Sequence, residues 1–364
     1  MIELDGSYLE GGGQILRTAL ALSCITGKPF RINSIRKGRK EPGLKNQHLY
    51  AISILGKICN ARVENAFLGS SEIEFFPGKL KSADLEFDTG TAASTGLILQ
   101  SLLPVSLFVP NGIKIKLKGG TDVAWAMPYD YVKNVVVPHL KKYCNINLKL
   151  KKRGYYPKGN GEIEFWTNQK DLTQAKPIEL VKRGELMQIR GVSHASKMLE
   201  NAKVADRQAD AAQSVLKNEL KEKEFKCPIE IDRQYSETLS PGSGIVLYAM
   251  FAGENSDEIN LNNPVILGAD MLGERGKRSE EIGEGAAKKL VKEIKSGACV
   301  DANLADNLIP LLGLFGGQIK VSEITDHTRT NIYATEKFLD VKFEVDEEKK
   351  IIRCNKGHIL KDKA

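Results

Sequence analysis

The sequence lacks a long apolar run. Its most apolar stretch, residues 97–109, is interrupted by Gln100 and Pro104 and falls short of the roughly 20 residues that a membrane-spanning helix needs. Residues 1–5 have neither the basic start nor the apolar core of a secretory signal. We therefore expect a soluble, cytoplasmic protein that does not bind membranes.

Closely spaced cysteines are also absent. The six cysteines stand singly, at positions 24, 59, 144, 227, 299 and 354. This spacing excludes a CxxC redox motif and a zinc-finger pair. Because several of them lie in apolar segments, we expect reduced thiols in the core of an intracellular protein.

A strong charge of either sign is missing too. The chain has 53 Lys and Arg against 46 Asp and Glu, which gives a formal net charge of +7. A modest basic excess favours an anionic partner such as nucleic acid but does not identify one. With 364 residues, 41% of them hydrophobic, the chain is long and apolar enough for two domains with cores of their own.

What the sequence does contain is a pattern that occurs three times: helix, strand, loop, helix, strand, strand. The first helix of each copy is predicted over residues 12–26, 92–107 and 302–315. The second helix is predicted over 48–60, 129–143 and 332–338, after loops at 36–47, 119–128 and 325–331. We therefore predict an α/β fold in which three units pack around a pseudo-threefold centre.

The loops of packed repeats tend to converge, so a site near that centre is expected. The second and third loops share a Thr-Asp dipeptide, Thr121-Asp122 and Thr325-Asp326. Between these two copies the pattern breaks, with a polar helix predicted over 196–223 and strands over 228–232 and 244–251. We predict a small inserted α/β domain over 181–281, and a repeated-unit catalytic domain formed by 1–180 and 282–364.

The densest signal for chemistry is the segment 10–17. Three consecutive glycines precede a predicted helix, so backbone N–H groups can approach an anion closely, aided by the helix dipole. Arg17 lies one turn into that helix, and Glu10 is a candidate ligand for a divalent metal. The spacing matches neither a Walker A loop nor a dinucleotide fingerprint. A tight turn with a surface carboxylate is the alternative interpretation.

Two other segments carry candidate groups. The loop at 36–48 holds five cations within ten residues, which suits phosphate binding, although a solvated basic loop is the simpler alternative. His327 lies among hydroxyls and an arginine in the loop 325–331, where an imidazole can act as nucleophile, base or metal ligand, or be a polar surface residue. The histidines at 139, 194 and 358 are predicted to be structural or exposed.

Taken together, these segments resemble the RNA 3′-terminal phosphate cyclase family over nearly the whole chain and in the same order. The matching stretches are 4–6, 10–17, 35–39, 42–44, 47–48, 99–100, 119–122, 153–159, 304–306, and His327 with 330–332. The resemblance implies three βαβαββ units and a small inserted α/β domain. This architecture agrees with the threefold pattern described above.

The resemblance also implies a ligase-type, nucleotidyl-transferring activity that uses ATP to turn an RNA 3′-phosphate into a 2′,3′-cyclic phosphate. His327 would attack the α-phosphate of ATP and carry AMP covalently, AMP would pass to the RNA end, and the adjacent 2′-hydroxyl would displace it. Arg17, Arg39 and Gln47 would contact phosphates, and Glu10 would hold Mg²⁺ or Mn²⁺. The implied ATP pocket comprises Gln100, Met127, Pro128, Asn303, Leu304, Ala305, Asp306 and Asn307.

Three positions depart from the family pattern, and two rival functions stay in view. Asn307 replaces a common glutamine, Asn303 a common aromatic or histidine, and Asn160 interrupts a glycine run, which leaves the nucleotide preference open. The main alternative is a cyclase-like, non-catalytic ribosome-biogenesis factor, against which His327, Glu10 and Arg17 argue. An enolpyruvyl transferase would need six such units.

The partner implied by the resemblance is an RNA that ends in a 3′-phosphate. No aromatic-rich base-stacking motif stands out in the sequence, so recognition of the RNA end and a few backbone phosphates is expected, without sequence readout. The oligomeric state, including a homodimer, is left open.

Overall fold

The structure is a computed structural model that describes residues 1–9, 11–220 and 227–357. Within these ranges the chain forms four four-stranded mixed sheets with helices packed on them, which confirms the predicted α/β class. None of the helices in the described ranges combines the length and the apolar character needed to cross a membrane.

The first sheet pairs its strands in the order β1 (Ile2–Asp5), β2 (Phe30–Asn33), β4 (Ile73–Phe76) and β3 (Arg62–Glu64). Strands β1 and β2 are parallel, and the other neighbours are antiparallel. Helix α1 (Gln14–Thr26) connects β1 to β2, and α2 (Asn46–Cys59) connects β2 to β3. Because parallel neighbours need a crossover connection, α1 covers one face of the sheet.

The second sheet has the same order and the same strand directions. Its strands are β5 (Ala83–Asp88), β6 (Ile113–Gly119), β8 (Gly161–Gln169) and β7 (Cys144–Lys152). Helix α3 (Thr95–Ser106) follows β5. After β6 comes an irregular helix made of α4 (Tyr129–Tyr131), a π-helical turn (Val132–Val136) and α5 (Val137–Leu140).

A third sheet repeats this order once more, although its first strand is distant in sequence from the others. Its strands are β9 (Ile178–Leu180), β14 (Gly317–Lys320), β16 (Ile351–Cys354) and β15 (Phe343–Asp346). Helix α8 (Ala302–Phe315) precedes β14 and α9 (Asp326–Phe338) follows it.

The fourth sheet lies between β9 and α8 in the chain. Its order is β11 (Ile229–Ser236), β10 (Leu186–Ser196), β12 (Ser243–Phe251) and β13 (Val265–Leu272), with β10 and β11 parallel. Helices α6 (Val204–Glu219) and α7 (Ser279–Lys295) pack on each other and on this sheet. The sequence predicted two strands in this region, and the structure has four.

The core lies where the helices of the first three sheets meet. Helix α1 packs against α3 and α9, and α9 packs against α8; in α1 every residue from Gln14 to Ile25 is buried. Five of the six cysteines are buried and Cys227 is half-buried, in agreement with the predicted placement in the core; the reduced state stays a prediction.

Two predicted elements are wrong in their boundaries. The segment 325–331, predicted as a loop, forms the start of α9, because the Thr325 hydroxyl accepts the backbone N–H of Thr328 at 3.1 Å and caps the helix there. The predicted helix 196–223 begins too early: β10 extends to Ser196, and α6 spans Val204–Glu219. Residues 221–223 of that prediction lie outside the described residues.

Candidate functional site

The glycines before α1 allow two distant segments to meet. A Cβ atom built on Gly12 would lie 3.3 Å from Nη2 of Arg39 and 3.9 Å from Cε1 of His327. Arg39 belongs to the basic loop after β2, and His327 is the second residue of α9. The absence of a side chain at Gly12 therefore lets an arginine and a histidine approach the N-terminus of α1 together.

Gly13 makes a second close approach. A Cβ atom there would overlap Nε2 of His48 and would lie 3.0 Å from Nη1 of Arg17. His48 accepts the backbone N–H of Lys45 through Nδ1 at 3.0 Å, so its neutral form carries the proton on Nε2. Burial, with the charges of Arg17 and other cations, lowers the pKa of His48 to about 3. His48 is thus a neutral donor beside the glycines.

Arg17 is a buried cation held mainly by neutral groups. Its Nε donates to Oε1 of Gln100 at 2.7 Å, and its Nη2 donates to Oε1 of Gln14 at 2.9 Å. Burial lowers the pKa of Arg17 to about 10, an effect that the carboxylate of Asp306 opposes. The guanidinium stays charged at neutral pH, and two amides do not cancel its charge. Such a group favours an incoming anion.

The first turn of α9 is fixed on two neighbouring helices. Thr328 donates its hydroxyl to Oδ1 of Asp306 on α8 at 3.0 Å. Asn331 donates to the Asp306 carbonyl at 2.8 Å and accepts the hydroxyl of Thr18 on α1 at 2.6 Å. These bonds fix the backbone that carries the half-buried His327, close to the positive end of the helix dipole.

The predicted ATP pocket is partly assembled on α8. Asn307 donates to the Asn303 carbonyl at 2.8 Å, and its Nδ2 lies 3.4 Å from Sδ of Met127. Gln100 joins this region to α1 through its bond to Arg17. Leu304 and Ala305 are fully buried in the core, and Pro128 is buried where it precedes α4. The exposed or half-buried members of the set are therefore polar, apart from Met127.

Two predicted site residues are less well placed by the structure. Gln47 is half-buried on α2, next to His48 in sequence, and its phosphate contact stays a prediction. Glu10, the predicted metal ligand, lies outside the described residues, so the metal site stays a prediction.

A second polar cluster, the Arg153 cluster, consists of Arg153, Asp122, Asp130, His194 and Gln234. Among the described residues, Asp122, Asp130 and His194 are the one acid–histidine group close enough to share a metal ion. Arg153 sits in it instead, 3.2 Å from Asp122 and 2.7 Å from Asp130, and donates to Gln234 at 3.0 Å. Because the Arg153 guanidinium already pairs with both carboxylates, we interpret the cluster as structural.

The Arg153 cluster joins the region of the second sheet to the fourth sheet, since His194 lies on β10 and Gln234 on β11. Burial by itself lowers the pKa of Arg153. The carboxylates of Asp122 and Asp130 have the larger combined effect and raise that pKa. Burial also lowers the pKa of His194 well below its usual range. The prediction that His194 is structural agrees with this geometry.

Sequence reasoning missed several residues that shape the site. Gln14, His48, Thr328 and Asn331 all contact or position the predicted residues, yet none was singled out for this. Gln14 precedes Arg17 by three positions, the helical spacing at which side chains meet, so this partner had a readable signal. Thr328 and Asn331, the partners of Asp306, come from another helix, and the sequence carries no local signal for these contacts.

A half-buried histidine, two arginines and the start of α1 define a site that can bind a phosphate and offer it a nucleophile. A family model for RNA 3′-terminal phosphate cyclase matches residues 8–345, and the chain belongs to that family.

Three relatives named RNA 3′-terminal phosphate cyclase illustrate the extent of the match. The protein from Pyrococcus furiosus is 44% identical over 350 residues, which cover 95% of each chain. The one from Ignicoccus hospitalis is 42% identical over 375 aligned positions, covering 100% of this chain and 99% of its own. The one from Methanosarcina mazei is 39% identical and covers 98% and 100%.

Proposed function

We propose that this protein is an RNA 3′-terminal phosphate cyclase, an enzyme that uses ATP to convert an RNA 3′-phosphate into a 2′,3′-cyclic phosphate. The observation that carries the proposal is the meeting of Arg39 and His327 at Gly12, in a chain that full-length relatives of that name match. His327 and Arg17 both occupy this site, which argues against the non-catalytic alternative.

We further propose that the first three sheets, with α1–α5, α8 and α9, are three βαβαββ units around a pseudo-threefold centre. Their shared strand order and directions support this. The fourth sheet would be the inserted domain. The predicted boundary at 281 falls inside α7, which packs on β12, β13 and α6; we therefore place the end of the inserted domain after α7.

In the first step we propose that a neutral nitrogen of His327 attacks the α-phosphorus of ATP. A nitrogen–phosphorus bond forms, the bond to the bridging oxygen breaks, and pyrophosphate leaves. Negative charge grows on the α-phosphate in the transition state. Arg17 and Arg39 would stabilise that charge, since preorganised cations act most strongly in a partly buried site.

In the second step an oxygen of the RNA 3′-phosphate attacks the same phosphorus and releases His327. The RNA then ends in a phosphoanhydride to AMP. In the last step the 2′-hydroxyl loses its proton, attacks the 3′-phosphorus and expels AMP as the ring closes. The two groups sit on adjacent carbons, so this step needs orientation and a good leaving group rather than a second binding event.

The ATP base would lie between Met127 with Pro128 and the polar side chains of α8, Asn303 and Asn307. Gln100 would bridge this pocket to Arg17. A divalent metal, Mg²⁺ or Mn²⁺, would supply charge neutralisation on the phosphates, with Glu10 as the predicted ligand. Gln47 would contact phosphate. The cytoplasmic location stays a prediction, and the oligomeric state stays open.

The test of the nucleophile is covalent labelling. The protein is incubated with ATP labelled on the α-phosphate and with Mg²⁺ or Mn²⁺, and acid-labile, alkali-stable label is measured on the protein. His327→Ala should abolish both the label and the cyclic product. Arg329→Ala is a matched control, because Arg329 lies on the same turn but pairs with Glu347 at the surface. Undiminished label in His327→Ala would contradict the mechanism.

The test of the substrate compares three matched oligonucleotides with a 3′-phosphate: RNA, RNA with a terminal 2′-deoxy sugar, and DNA. The RNA should give a cyclic end. The other two lack the nucleophilic hydroxyl and should stop as 3′-adenylated ends, which a gel resolves. Ring closure without ATP consumption, or ligation in place of cyclisation, would contradict the assignment.

A further inference from the structure

Trp125 is more exposed than any other large apolar side chain in the described part of the chain. Its relative exposure is 96%. Its φ of 65° lies in the left-handed region, which bulky side chains rarely adopt. Such conformations concentrate at ligand-binding sites, because the surrounding structure must hold them in place. Packing does not explain this indole, since it packs on almost nothing.

The loop that carries Trp125 is held on both sides. Before it, the N–H of Thr121 donates to the Gly154 carbonyl at 2.9 Å, and the N–H of Gly154 donates to the Thr121 hydroxyl at 3.0 Å. After it, Met127 lies against Asn307 at the predicted ATP pocket. Trp125 therefore lies on an anchored loop, two residues before a member of that pocket.

The neighbouring loop presents a second aromatic ring. Tyr156 follows Gly154 by two positions and is 76% exposed. Its neighbour Tyr155 is buried and makes a 2.8 Å hydrogen bond with His194, which fixes the loop. Within the described ranges, no other aromatic ring stacks on Trp125 or Tyr156. Two exposed aromatic side chains thus lie on two loops that are bonded to each other.

We propose that Trp125 stacks on the nucleobase of the RNA 3′-terminal nucleotide, with Tyr156 on the adjoining loop as a second aromatic face. The inference rests on the proposed function and names how that function's polymer substrate is held. An aromatic face accepts every base, so it binds an RNA end without reading its sequence. The adenine of ATP would lie against the half-buried Met127, whereas Trp125 is exposed to the solvent from which a polymer enters.

The first test separates the two substrates kinetically. Trp125→Ala should raise the KM for a 3′-phosphate RNA about tenfold, the loss expected from one base–aromatic stack, and Trp125→Phe should raise it less. Covalent AMP labelling by ATP alone should keep its wild-type rate. The matched control is Trp166→Phe, which removes the second of the two tryptophans, on β8. A raised KM for ATP with an unchanged KM for RNA would overturn the inference.

The second test measures binding without turnover. In the Trp166→Phe protein Trp125 is the sole tryptophan, and its fluorescence should be quenched by a 3′-phosphate RNA. An otherwise identical RNA with an abasic terminal nucleotide should quench less and bind about tenfold more weakly. Equal quenching and affinity would overturn the inference. Base-dependent quenching in a protein that forms no AMP adduct would contradict the proposed function but would still support the stacking site.

Discussion

Arg17 and Arg153 are both buried arginines, yet their surroundings differ in charge. Arg153 lies 3.2 Å from Asp122 and 2.7 Å from Asp130, two carboxylates that together outweigh its charge. Arg17 donates to the neutral amides of Gln14 and Gln100. The pKa of Arg153 is raised, and the pKa of Arg17 is lowered to about 10. A compensated arginine stabilises the fold, whereas an incompletely compensated one attracts an anion.

The same contrast extends to the histidines. His194 lies in the Arg153 cluster, where Nε2 is 3.4 Å from Asp122 and Nδ1 bonds Tyr155. His327 lies half-buried at the start of a helix, within reach of Gly12. A histidine whose two nitrogens are enclosed cannot reach a substrate. The difference between the regions therefore lies in access as well as in charge.

The largest effect should come from breaking the Arg153 cluster. Arg153→Ala leaves Asp122 and Asp130 buried without a counterion, and we expect it to lower the free energy of unfolding by about 3–5 kcal/mol. Urea denaturation followed by circular dichroism measures the change. Arg190→Ala is the control, since Arg190 pairs with Glu230 at the surface and should cost little. An unchanged urea midpoint for Arg153→Ala would show that the Arg153 cluster does not stabilise the fold.

Substitution of the site arginines should reduce activity strongly and stability only moderately. Arg17→Ala and Arg39→Ala should each slow covalent AMP formation or its transfer about a hundredfold, the loss of one preorganised charge contact. Stability should fall less than in Arg153→Ala, because no carboxylate pair is left uncompensated. Single-turnover labelling and urea unfolding on the same preparations test both statements. Wild-type rates in both variants would place the phosphate site elsewhere.

Local patterns predicted much of the secondary structure. Helix α8 has the predicted bounds, because an apolar run begins just after Asp301, whose carboxylate accepts the N–H of Leu304 and caps the helix. The start of α9 was missed, since Thr325, Asp326 and His327 resemble a polar loop until the capping bond is known. The pattern predicted for each unit omitted the first strand of its sheet. Strands β1 and β9 have only four and three residues, whereas β5 (Ala83–Asp88) was missed although apolar and polar residues alternate along its six positions.

For the site, the sequence predicted a set of candidate residues but not their geometry. Resemblance brought Arg17, Arg39, Gln100 and His327 into one set, and the structure places them in one region. The Arg153 cluster could not be predicted from the sequence. Its five members are scattered between residues 122 and 234 and follow no recognisable spacing. Neither the exposure of Trp125 nor its left-handed backbone conformation could be predicted from the sequence pattern.

His48 provides a pH test of the site. Its pKa is lowered to about 3 from an unfolded value near 6.5, so below pH 6.5 the unfolded chain binds a proton that the folded chain excludes. The stability that neutral His48 contributes is complete above that pH and is lost as the pH falls toward 3. His48→Gln should therefore flatten the fall in unfolding free energy between pH 6 and 4 by about 1.4 kcal/mol per pH unit.

The control for this test is Gln47→Ala, the neighbouring residue on α2, which has no titrating group and should leave the slope unchanged. Urea midpoints at pH 6, 5 and 4 supply the slopes. An equal slope in the wild type and His48→Gln would show that His48 titrates normally and is not enclosed by the cations around it.

The smallest expected effect distinguishes the two Thr-Asp segments, Thr121-Asp122 and Thr325-Asp326. Thr325 caps the helix that carries His327, whereas Thr121 bonds Gly154 and Asp122 inside the Arg153 cluster. Thr325→Ala should cost about 1 kcal/mol of stability and also slow AMP labelling, because the first turn of α9 frays; Thr325→Ser should restore both. Thr121→Ala should cost similar stability while labelling proceeds at the wild-type rate. The measurement is labelling rate against urea midpoint for all three variants. If both alanine variants lose labelling in proportion to stability, the two segments are equivalent. The contrast between the Arg153 cluster and the site around His327 then does not hold.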